Sequence, residues 1–395
     1  MFKVNKNTYN FNIEDIFVVG KRANNPKRSF LFISKLLGKH LSVNPDVVKA
    51  SGFLLSSLKY GFDNKTFIDT IKSNMKPNYN HHAVDDNTLV IGFCETATGL
   101  GMAVASSIEG CTYQTTTREP IEGINQILTF EEEHSHATTH KMFSDDINLS
   151  DYKEIILVDD EITTGNSLLN LIDAIHKVSN VKNYSVMTIL DWRNPNQRKA
   201  FDDFCEKNNV SISVFSLIEG ELLNEESTVI YMNEASEIVN KKCGDVNDLN
   251  ALERKSVVSN GTNIRYFKNS GRFGVSYDNI QKTENECRFI ADALKKSVMR
   301  KKVLVLGHGE NIFIPSRVAS YLKKYADDVK FRTTTLSPIY CDGTIIKNEV
   351  VFNDENSVYH LYNVDELDEY DEIILLLEKD NLNISFHEKM KILYI

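Results

Sequence analysis

Several features are missing from this 395-residue sequence, and each absence argues against a class of protein. No apolar run approaches the roughly 18 residues that a membrane-spanning helix needs, so no membrane partner is expected. The first residues, MFKVNKNTYNFNIEDIF, lack the apolar centre of a secretory signal peptide. The six cysteines are scattered, without a CxxC pair. Free thiols and a cytoplasmic location are therefore the simplest expectation.

Positive charge is also in short supply. The formal net charge is −10, which argues against a general nucleic-acid partner, because such proteins usually carry a basic face. One segment nevertheless concentrates basic residues, namely Lys21, Arg22, Lys27, Arg28, Lys35, Lys39 and His40. This basic cluster is either a solvated helix face with its approach or the edge of a pocket for an anionic ligand.

Apolar runs alternate with amphipathic segments through most of the chain. Residues 1–80 are predicted to be mostly helical. Beyond them, strands are predicted at TLVIGF (88–93), CTYQTTT (111–117), EIILVDD (154–160), YSVMTILDW (184–192) and VSISVFSLI (210–218), with helices between most of them. Such alternation predicts an α/β fold with a mostly parallel sheet covered by helices on both faces.

Two segments interrupt this pattern and suggest how the chain is divided. Residues 118–150 lack clear periodicity, and a long irregular segment in a compact domain is often a lid or a binding loop. Residues 219–260 are polar and rich in Asn, Glu and Lys, which is typical of a linker. We therefore predict a first domain over residues 1–235 and a second α/β domain over residues 255–395.

The second domain is predicted to be a degenerate repeat of the first. LVIGFCETATGLG is similar to VLVLGHGENIFIP, YQTTTREPI to FRTTTLSPI, and DYKEIILVDDEI to EYDEIILLLEKD, in the same order and at comparable spacing. The second copy lacks the Asp-Asp pair and the Thr-Thr-Gly turn of the first. If the first unit is catalytic, the second is therefore expected not to be.

The stretch ILVDDEITTGNSL carries the clearest chemistry. A parallel strand that ends in Asp159 and Asp160 presents two carboxylates at the sheet edge where open α/β folds bind ligands. Residues 163–167 then surround a helix N-terminus, which favours anions through backbone N–H groups and the helix dipole. A sugar phosphate would satisfy both ends of this segment.

This stretch closely resembles the 5-phosphoribosyl 1-diphosphate (PRPP) motif of type I phosphoribosyltransferases. The whole chain resembles the orotate-phosphoribosyltransferase-like proteins of tellurite-resistance-associated gene clusters, in which a TRSP domain follows the transferase domain. NPKRSFLFISKLLGKH, EEEHSHATTH and ILDWRN resemble the first domain, and VLGHGE and TTTLSPI resemble the second. Leu336 stands where the namesake Thr-Arg-Ser-Pro motif has Arg, so the anion-binding role of that Arg is not expected here.

The resemblance implies a type I phosphoribosyltransferase fold with a hood loop at residues 118–142. It also implies a role for each matching position. Asp159 and Asp160 would bind the ribose hydroxyls, and Arg118 the pyrophosphate. The 5′-phosphate loop would be Thr163, Thr164, Gly165, Asn166 and Ser167. The pyrophosphate loop (94–101) would include Cys94, Glu95, Thr96, Ala97, Thr98 and Gly99. Hood contacts would come from Glu132, His134, His136, His140 and Lys141.

The activity implied by the resemblance is transfer of the ribose 5-phosphate of PRPP to a nitrogenous base, with release of pyrophosphate. Mg²⁺ would bridge oxygens of PRPP, with Asp159 and Asp160 as further ligands, and a homodimer is the default assembly. Thr163 occupies a position where some relatives have an acid that acts as a general base. Either no strong base is needed, or a hood residue such as Glu132 or His136 assists.

Other interpretations of the same residues stay open at this point. The chain could be a non-catalytic PRPP sensor, although Arg118 and a full hood favour an enzyme. HSHATTH could hold a metal ion, and Cys94 could be a nucleophile, although the sequence indicates no paired His. GLGMAV lacks the third glycine of a dinucleotide-binding GxGxxG motif. Trp192 is expected to pack rather than to stack on a base.

Overall fold

The computed structural model of the protein describes residues 2–23, 29–80, 82–131, 139–223, 231–233, 246–249, 251–354, 357–379 and 385–395. The helices are α1 Ile13–Ile16, α2 Asp46–Tyr60, α3 Lys65–Ser73, α4 Ala97–Ala105, α5 Asn166–Val178, α6 Pro195–Asn208, α7 Tyr277–Val298 and α8 Phe313–Leu322, with 3-10 turns at Leu149–Asp151 and Val364–Glu369.

The strands up to residue 223 are β1 Phe2–Asn7, β2 Phe17–Lys21, β3 Phe30–Ser34, β4 Ala83–Val84, β5 Thr88–Gly92, β6 Ile108–Glu109, β7 Thr112–Thr115, β8 Gln126–Glu131, β9 Thr139–Phe143, β10 Glu154–Ile162, β11 Asn183–Asp191 and β12 Ser211–Leu222. The later strands are β13 Val246–Asp248, β14 Arg254–Ser259, β15 Thr262–Phe267, β16 Val275–Ser276, β17 Lys302–Gly307, β18 Asp328–Thr333, β19 Glu349–Asp354, β20 Ser357–Tyr362, β21 Glu372–Leu377 and β22 Met390–Tyr394.

The larger sheet has seven strands in the order β1-β12-β11-β10-β5-β7-β16. The five strands from β12 to β7 are parallel, while β1 and β16 pair antiparallel at the two edges. The inner strands are apolar and rich in β-branched residues, as is typical of parallel strands that are covered on both faces. The predicted α/β fold with a mostly parallel sheet is confirmed.

Helices cover both faces of this sheet because side chains along each strand alternate in direction. Val90 and Ile156 pack into one apolar cluster with residues of α2 and α4. Their chain neighbours Leu89 and Ile155 pack into a second cluster on the opposite face. Helix α5 contributes one apolar stripe to that second cluster, formed by Leu168, Leu171, Ile172 and Ile175.

A second, five-stranded sheet has the order β13-β22-β21-β17-β18, and all its strands are parallel. The order β18-β17-β21-β22 repeats the order β7-β5-β10-β11 of the larger sheet. Helix α8 follows β17 as α4 follows β5, and hairpin β19–β20 follows β18 as hairpin β8–β9 follows β7. This agreement supports the repeat that the sequence predicts.

Three segments differ from the sequence-based expectation. Helices α2 and α3 lie within residues 1–80, but residues 2–34 contain β1, β2 and β3, whose Phe, Val and Ile content favours strands. The segment 118–142 is partly regular, because β8 pairs with β9 on either side of residues 132–138, which lie outside the described residues. The predicted linker 219–260 includes the end of β12 and all of β13 and β14.

The two halves share one apolar core. Val303 and Ile374 of the second sheet belong to the same cluster as Val90 and Ile156 of the first. Gly99 in α4 makes the approach of the halves possible, since a Cβ atom there would lie 2.4 Å from Ile312 Cγ2. Strand β16 from the second half also completes the edge of the larger sheet.

No helix in the described part of the chain is both long and apolar enough to span a membrane.

The shared core predicts that the halves do not fold separately. A fragment of residues 1–250 should be insoluble or should lack a cooperative thermal transition, because it exposes the apolar faces of α2 and α4. Co-expression of residues 251–395 as a separate chain should restore solubility, since packing rather than covalent linkage is what the fragment lacks. A soluble 1–250 fragment with a sharp melting transition would contradict this prediction.

Candidate active site

A cavity of about 440 Å³ opens at the carboxyl ends of β5 and β10, a size common for small-molecule sites. Its walls come from four parts of the chain: the segments after β5 and β10, the N-terminal residues before α2, the hairpin β8–β9 with Arg118, and residues 336–338 of the second half.

Two adjacent carboxylates lie on the floor of this cavity. Strand β10 continues to Ile162, so Asp159 and Asp160 belong to the strand itself, and Asp159 Oδ1 accepts a hydrogen bond of 2.9 Å from the Asp160 backbone N–H. Burial raises the pKa of Asp160 to about 6, with the nearby Lys39 ammonium acting in the opposite direction. Asp160 is therefore mostly ionised at pH 7 but titrates within a unit of it.

The loop after β10 leads directly into the N-terminus of α5. Gly165 precedes the helix with φ +83, a left-handed conformation that favours glycine, and a Cβ atom there would lie 2.5 Å from the Phe201 ring. Thr163, Thr164, Gly165 and Ser167 line the cavity, whereas Asn166 does not. The first turn of a helix leaves backbone N–H groups without partners in the helix, so this end of the cavity suits an anion.

The segment after β5 reaches the cavity with fewer residues than predicted. Cys94, Glu95 and Thr96 line it. Helix α4 begins at Ala97, and Ala97, Thr98 and Gly99 are buried outside the cavity wall. Thr98 instead donates from its hydroxyl to the Glu310 carbonyl oxygen at 2.6 Å, and Gly99 packs on Ile312.

Arg118 and one hood residue also line the cavity. His140 is buried, and its Nδ1 lies 3.4 Å from Cys94 Sγ and 3.3 Å from Thr116 Oγ1. This Cys–His proximity was not predicted, because it depends on how hairpin β8–β9 packs on the sheet. Lys141 does not line the cavity, and its backbone pairs with Thr117. The other predicted hood residues, Glu132, His134 and His136, lie outside the described residues.

Part of the basic cluster forms a wall of the cavity, which favours the pocket-edge interpretation for Arg22, Lys39 and His40. Lys39 Nζ lies 2.6 Å from Thr96 Oγ1 and 3.5 Å from Glu95 Oε2. His40 is 4% exposed, and neither of its ring nitrogens has a hydrogen-bond partner within the described residues. Burial lowers the pKa of His40 well below its usual range, so its imidazole is neutral at pH 7.

Residues from the second half also line the cavity. Leu336, Ser337 and Pro338 line it opposite the carboxylates. They belong to the TTTLSPI segment, which the sequence identified as part of the repeat and of the resemblance to the TRSP domain. Trp192, by contrast, behaves as expected, since it is buried and stacks on Phe32 with ring centroids 4.9 Å apart.

Comparison with known families agrees with this geometry. Residues 16–221, more than half of the chain, match the family model described as phosphoribosyl transferase. The chain belongs to this phosphoribosyl transferase family. Residues 269–392 match the model of the TRSP domain that lies C-terminal to the transferase domain in such proteins. The search of curated proteins found no match.

Among solved structures, this phosphoribosyl transferase is similar to three adenine phosphoribosyltransferases. The Trypanosoma brucei enzyme is 13% identical, with 51% of this chain and 76% of that chain covered and a TM-score of 0.32. The Leishmania donovani enzyme is 11% identical, with 55% and 86% covered and a TM-score of 0.33. The Rhodothermus marinus enzyme is 12% identical, with 52% and 95% covered and a TM-score of 0.30.

The conformation of Gly165 predicts a difference between two glycine substitutions. Gly165→Ala should lower the free energy of unfolding by about 2–3 kcal/mol, because the methyl group meets Phe201 as well as an unfavourable φ. Gly61→Ala is the matched control, since Gly61 has φ +72 but no atom within 4 Å of the added Cβ, and it should cost only about 1 kcal/mol. Urea denaturation measures both, and equal losses would contradict the proposed contact.

Proposed function

We propose that this protein transfers the ribose 5-phosphate of PRPP to a nitrogenous base and releases pyrophosphate. The observation that carries the proposal is the convergence of three groups on one cavity: the carboxylates of Asp159 and Asp160, the α5 N-terminus with its hydroxyls, and the 94–96 segment with Arg118. These groups match the ribose hydroxyls, the 5′-phosphate and the pyrophosphate of a single PRPP molecule.

The carboxylates and the helix N-terminus would fix the ribose 5-phosphate. An ionised carboxylate accepts hydrogen bonds from hydroxyl groups, and such charge-assisted bonds are stronger than neutral ones. Thr163, Thr164 and Ser167 add hydroxyl donors at the N-terminus of α5, where the helix dipole favours a phosphate. Both ends of the sugar phosphate are thus held by residues within nine positions of one another, on a strand and a helix that are both packed in the core.

Arg118 and the 94–96 segment would stabilise the leaving group. Loss of pyrophosphate from C1 of the ribose leaves positive charge on the sugar and adds negative charge to the pyrophosphate. A fixed guanidinium and backbone N–H groups favour that charge in a site from which water is excluded. Hairpin β8–β9, which brings His140 to the cavity wall, would form part of the cover that excludes water.

The donors on this chain suit Mg²⁺ only if the substrate supplies further oxygens. Mg²⁺ prefers oxygen ligands, and Asp159 and Asp160 provide them. Within the described residues no group of three or more acidic, His or Cys side chains could hold a metal ion without a ligand. When bound through PRPP, the ion would neutralise part of the negative charge on the leaving group.

Turnover tests the proposal directly. The protein should be incubated with PRPP, Mg²⁺ and a metabolite extract, and mass spectrometry should reveal a new ribosyl-phosphate adduct together with pyrophosphate. Binding of PRPP without any release of pyrophosphate, even with a mixture of bases, would instead favour a sensor that lacks turnover. Absence of PRPP binding in calorimetry would contradict both functions.

Asp160→Asn should lower turnover about 10- to 100-fold while leaving the melting temperature unchanged, because a neutral amide replaces a charged acceptor. Asp203→Asn is the control, since Asp203 is an exposed carboxylate on α6 that pairs with Lys199, away from the cavity. Full activity of the Asp160 variant would remove this residue from the proposed site.

The raised pKa of Asp160 predicts a pH dependence of ligand binding. Below about pH 6 the carboxylate becomes protonated and loses its charge, so the affinity for ribose 5-phosphate should fall by about tenfold per pH unit. The ligand phosphate also titrates near pH 6. Ribose 5-phosphate affinity should therefore be measured against pH for both the unaltered protein and Asp160→Asn. The difference between these two pH profiles gives the loss of affinity that is due to Asp160. Identical profiles between pH 5 and pH 8 would contradict the prediction.

A further inference from the structure

We propose that the second half of the chain positions the pyrophosphate subsite of the first through two equivalent carboxylates, Glu95 and Glu310. This inference rests on the proposed function, because it concerns the segments assigned there to the leaving group. Glu95 belongs to the 94–96 segment, and Glu310 occupies the same place in the second unit. Each carboxylate reaches across to the other unit.

Hydrogen bonds establish which residues of the two units correspond. The Thr116 backbone N–H donates to the Gly92 carbonyl, and the Thr334 N–H donates to the Gly307 carbonyl. Gly92 and Gly307 also end the equivalent strands β5 and β17. Counting forward from these pairs, Glu95 corresponds to Glu310, Thr117 to Thr335, and Arg118 to Leu336.

The hairpins give the same correspondence. Thr117 and Lys141 exchange backbone hydrogen bonds in the first unit, and Thr335 and His360 exchange the same two bonds in the second. The pairing of Thr117 with Thr335 is therefore fixed by two independent sets of contacts. Each unit presents the segment after its Thr-Thr-Thr run to the carboxylate of the other unit.

Glu95 binds that segment of the second unit. Its Oε2 accepts from the Thr335 hydroxyl at 3.0 Å, and its Oε1 accepts from the Leu336 backbone N–H at 3.1 Å. The Glu95 side chain is buried, and its remaining charge contact is Lys39 at 3.5 Å. The carboxylate is thereby held by the second unit, while the 94–96 segment that carries it lines the cavity.

Glu310 makes the reciprocal contacts with the first unit. Its carboxylate accepts, at 3.5 Å, from the Arg118 backbone N–H, and Arg272 Nη1 links it to the Thr117 hydroxyl. Its backbone carbonyl accepts from the Thr98 hydroxyl at 2.6 Å. Both elements assigned to pyrophosphate, the 94–96 segment and Arg118, are thus tied to the second unit.

In the second unit the equivalent carboxylates are paired with an arginine of the chain itself. Glu378 occupies the position of Asp160, and it accepts a hydrogen bond of 2.5 Å from Arg272 Nη2. Arg272 also pairs with Glu310, and its Nη1 donates to the Thr117 hydroxyl oxygen at 2.8 Å. This guanidinium thus bonds to the counterparts of both Asp160 and Glu95. Both carboxylates consequently serve one site.

The test separates pyrophosphate binding from ribose-phosphate binding. Calorimetry should be performed on the full chain with magnesium pyrophosphate and, separately, with ribose 5-phosphate. Thr335→Val and Glu95→Gln should each weaken pyrophosphate binding by about tenfold, because the first removes the hydroxyl donor and the second replaces one accepting oxygen with an NH2 group. Ribose 5-phosphate affinity should change by less than about twofold, since the residues assigned to it lie on β10 and α5.

A matched control and a double variant sharpen this experiment. Thr333→Val alters an equally buried threonine of the same segment, but its hydroxyl bonds only to the Thr334 carbonyl among the described residues, so both affinities should be unchanged. The double variant Glu95→Gln/Thr335→Val should bind pyrophosphate no more weakly than the more affected of the two single variants, because both changes break the contact between Glu95 and Thr335. Glu310→Gln should also weaken pyrophosphate binding and not ribose 5-phosphate binding, because it alters the contact with the Arg118 backbone N–H.

Three outcomes would overturn the inference. Pyrophosphate affinity could be unchanged in all variants, which would show that the cross-unit bonds do not position this subsite. Both ligands could be weakened equally, which would indicate a general structural role instead. If the unaltered protein bound ribose 5-phosphate and PRPP normally, either result would leave the proposed function intact. Failure of the unaltered protein to bind any of the ligands would overturn the function as well.

Discussion

The parallel pairing of β5 with β10 is the constraint on which the cavity depends. Gly92 pairs with Val158, so the chain leaves both strands at the same edge of the sheet, and the 94–96 segment lies beside the carboxylates of Asp159 and Asp160. The strands hold this register because their apolar side chains are buried on both faces, where a shift by one residue would exchange the two faces. The packed core, rather than any direct contact between them, therefore holds the 94–96 segment, which suits an anion, beside the negatively charged carboxylates.

The parts of the site that could be predicted are those whose chemistry is local in sequence. Asp159, Asp160 and the Thr163–Gly165 turn follow from one strand–loop–helix stretch. Lys39 and residues 336–338 reach the cavity only through packing between distant segments, and the contact of Cys94 with His140 depends on where hairpin β8–β9 lies. The sequence predicts helix where β2 and β3 lie, because short apolar runs fit either structure until a partner strand is known.

The two units show that equivalent carboxylates of one fold can face a ligand cavity in one copy and bind a side chain of the same protein in the other. In the first, Asp160 faces a cavity. In the second, its counterpart Glu378 binds Arg272, which also contacts Glu310. A buried guanidinium surrounded by carboxylates satisfies the charge that a ligand would otherwise meet. The loss of an Asp-Asp pair and a Thr-Thr-Gly turn from the second copy thus coincides with an internal cation in their place.

The wall formed by Leu336, Ser337 and Pro338 has a consequence for how this protein responds to dilution. Where two separate chains build a cavity together, the fraction of complete cavities falls as the concentration drops below the dissociation constant. Here both contributors belong to one polypeptide, so one is always present at a high effective concentration beside the other. These two contributors to the cavity therefore stay together in a single molecule, however few copies a cell contains.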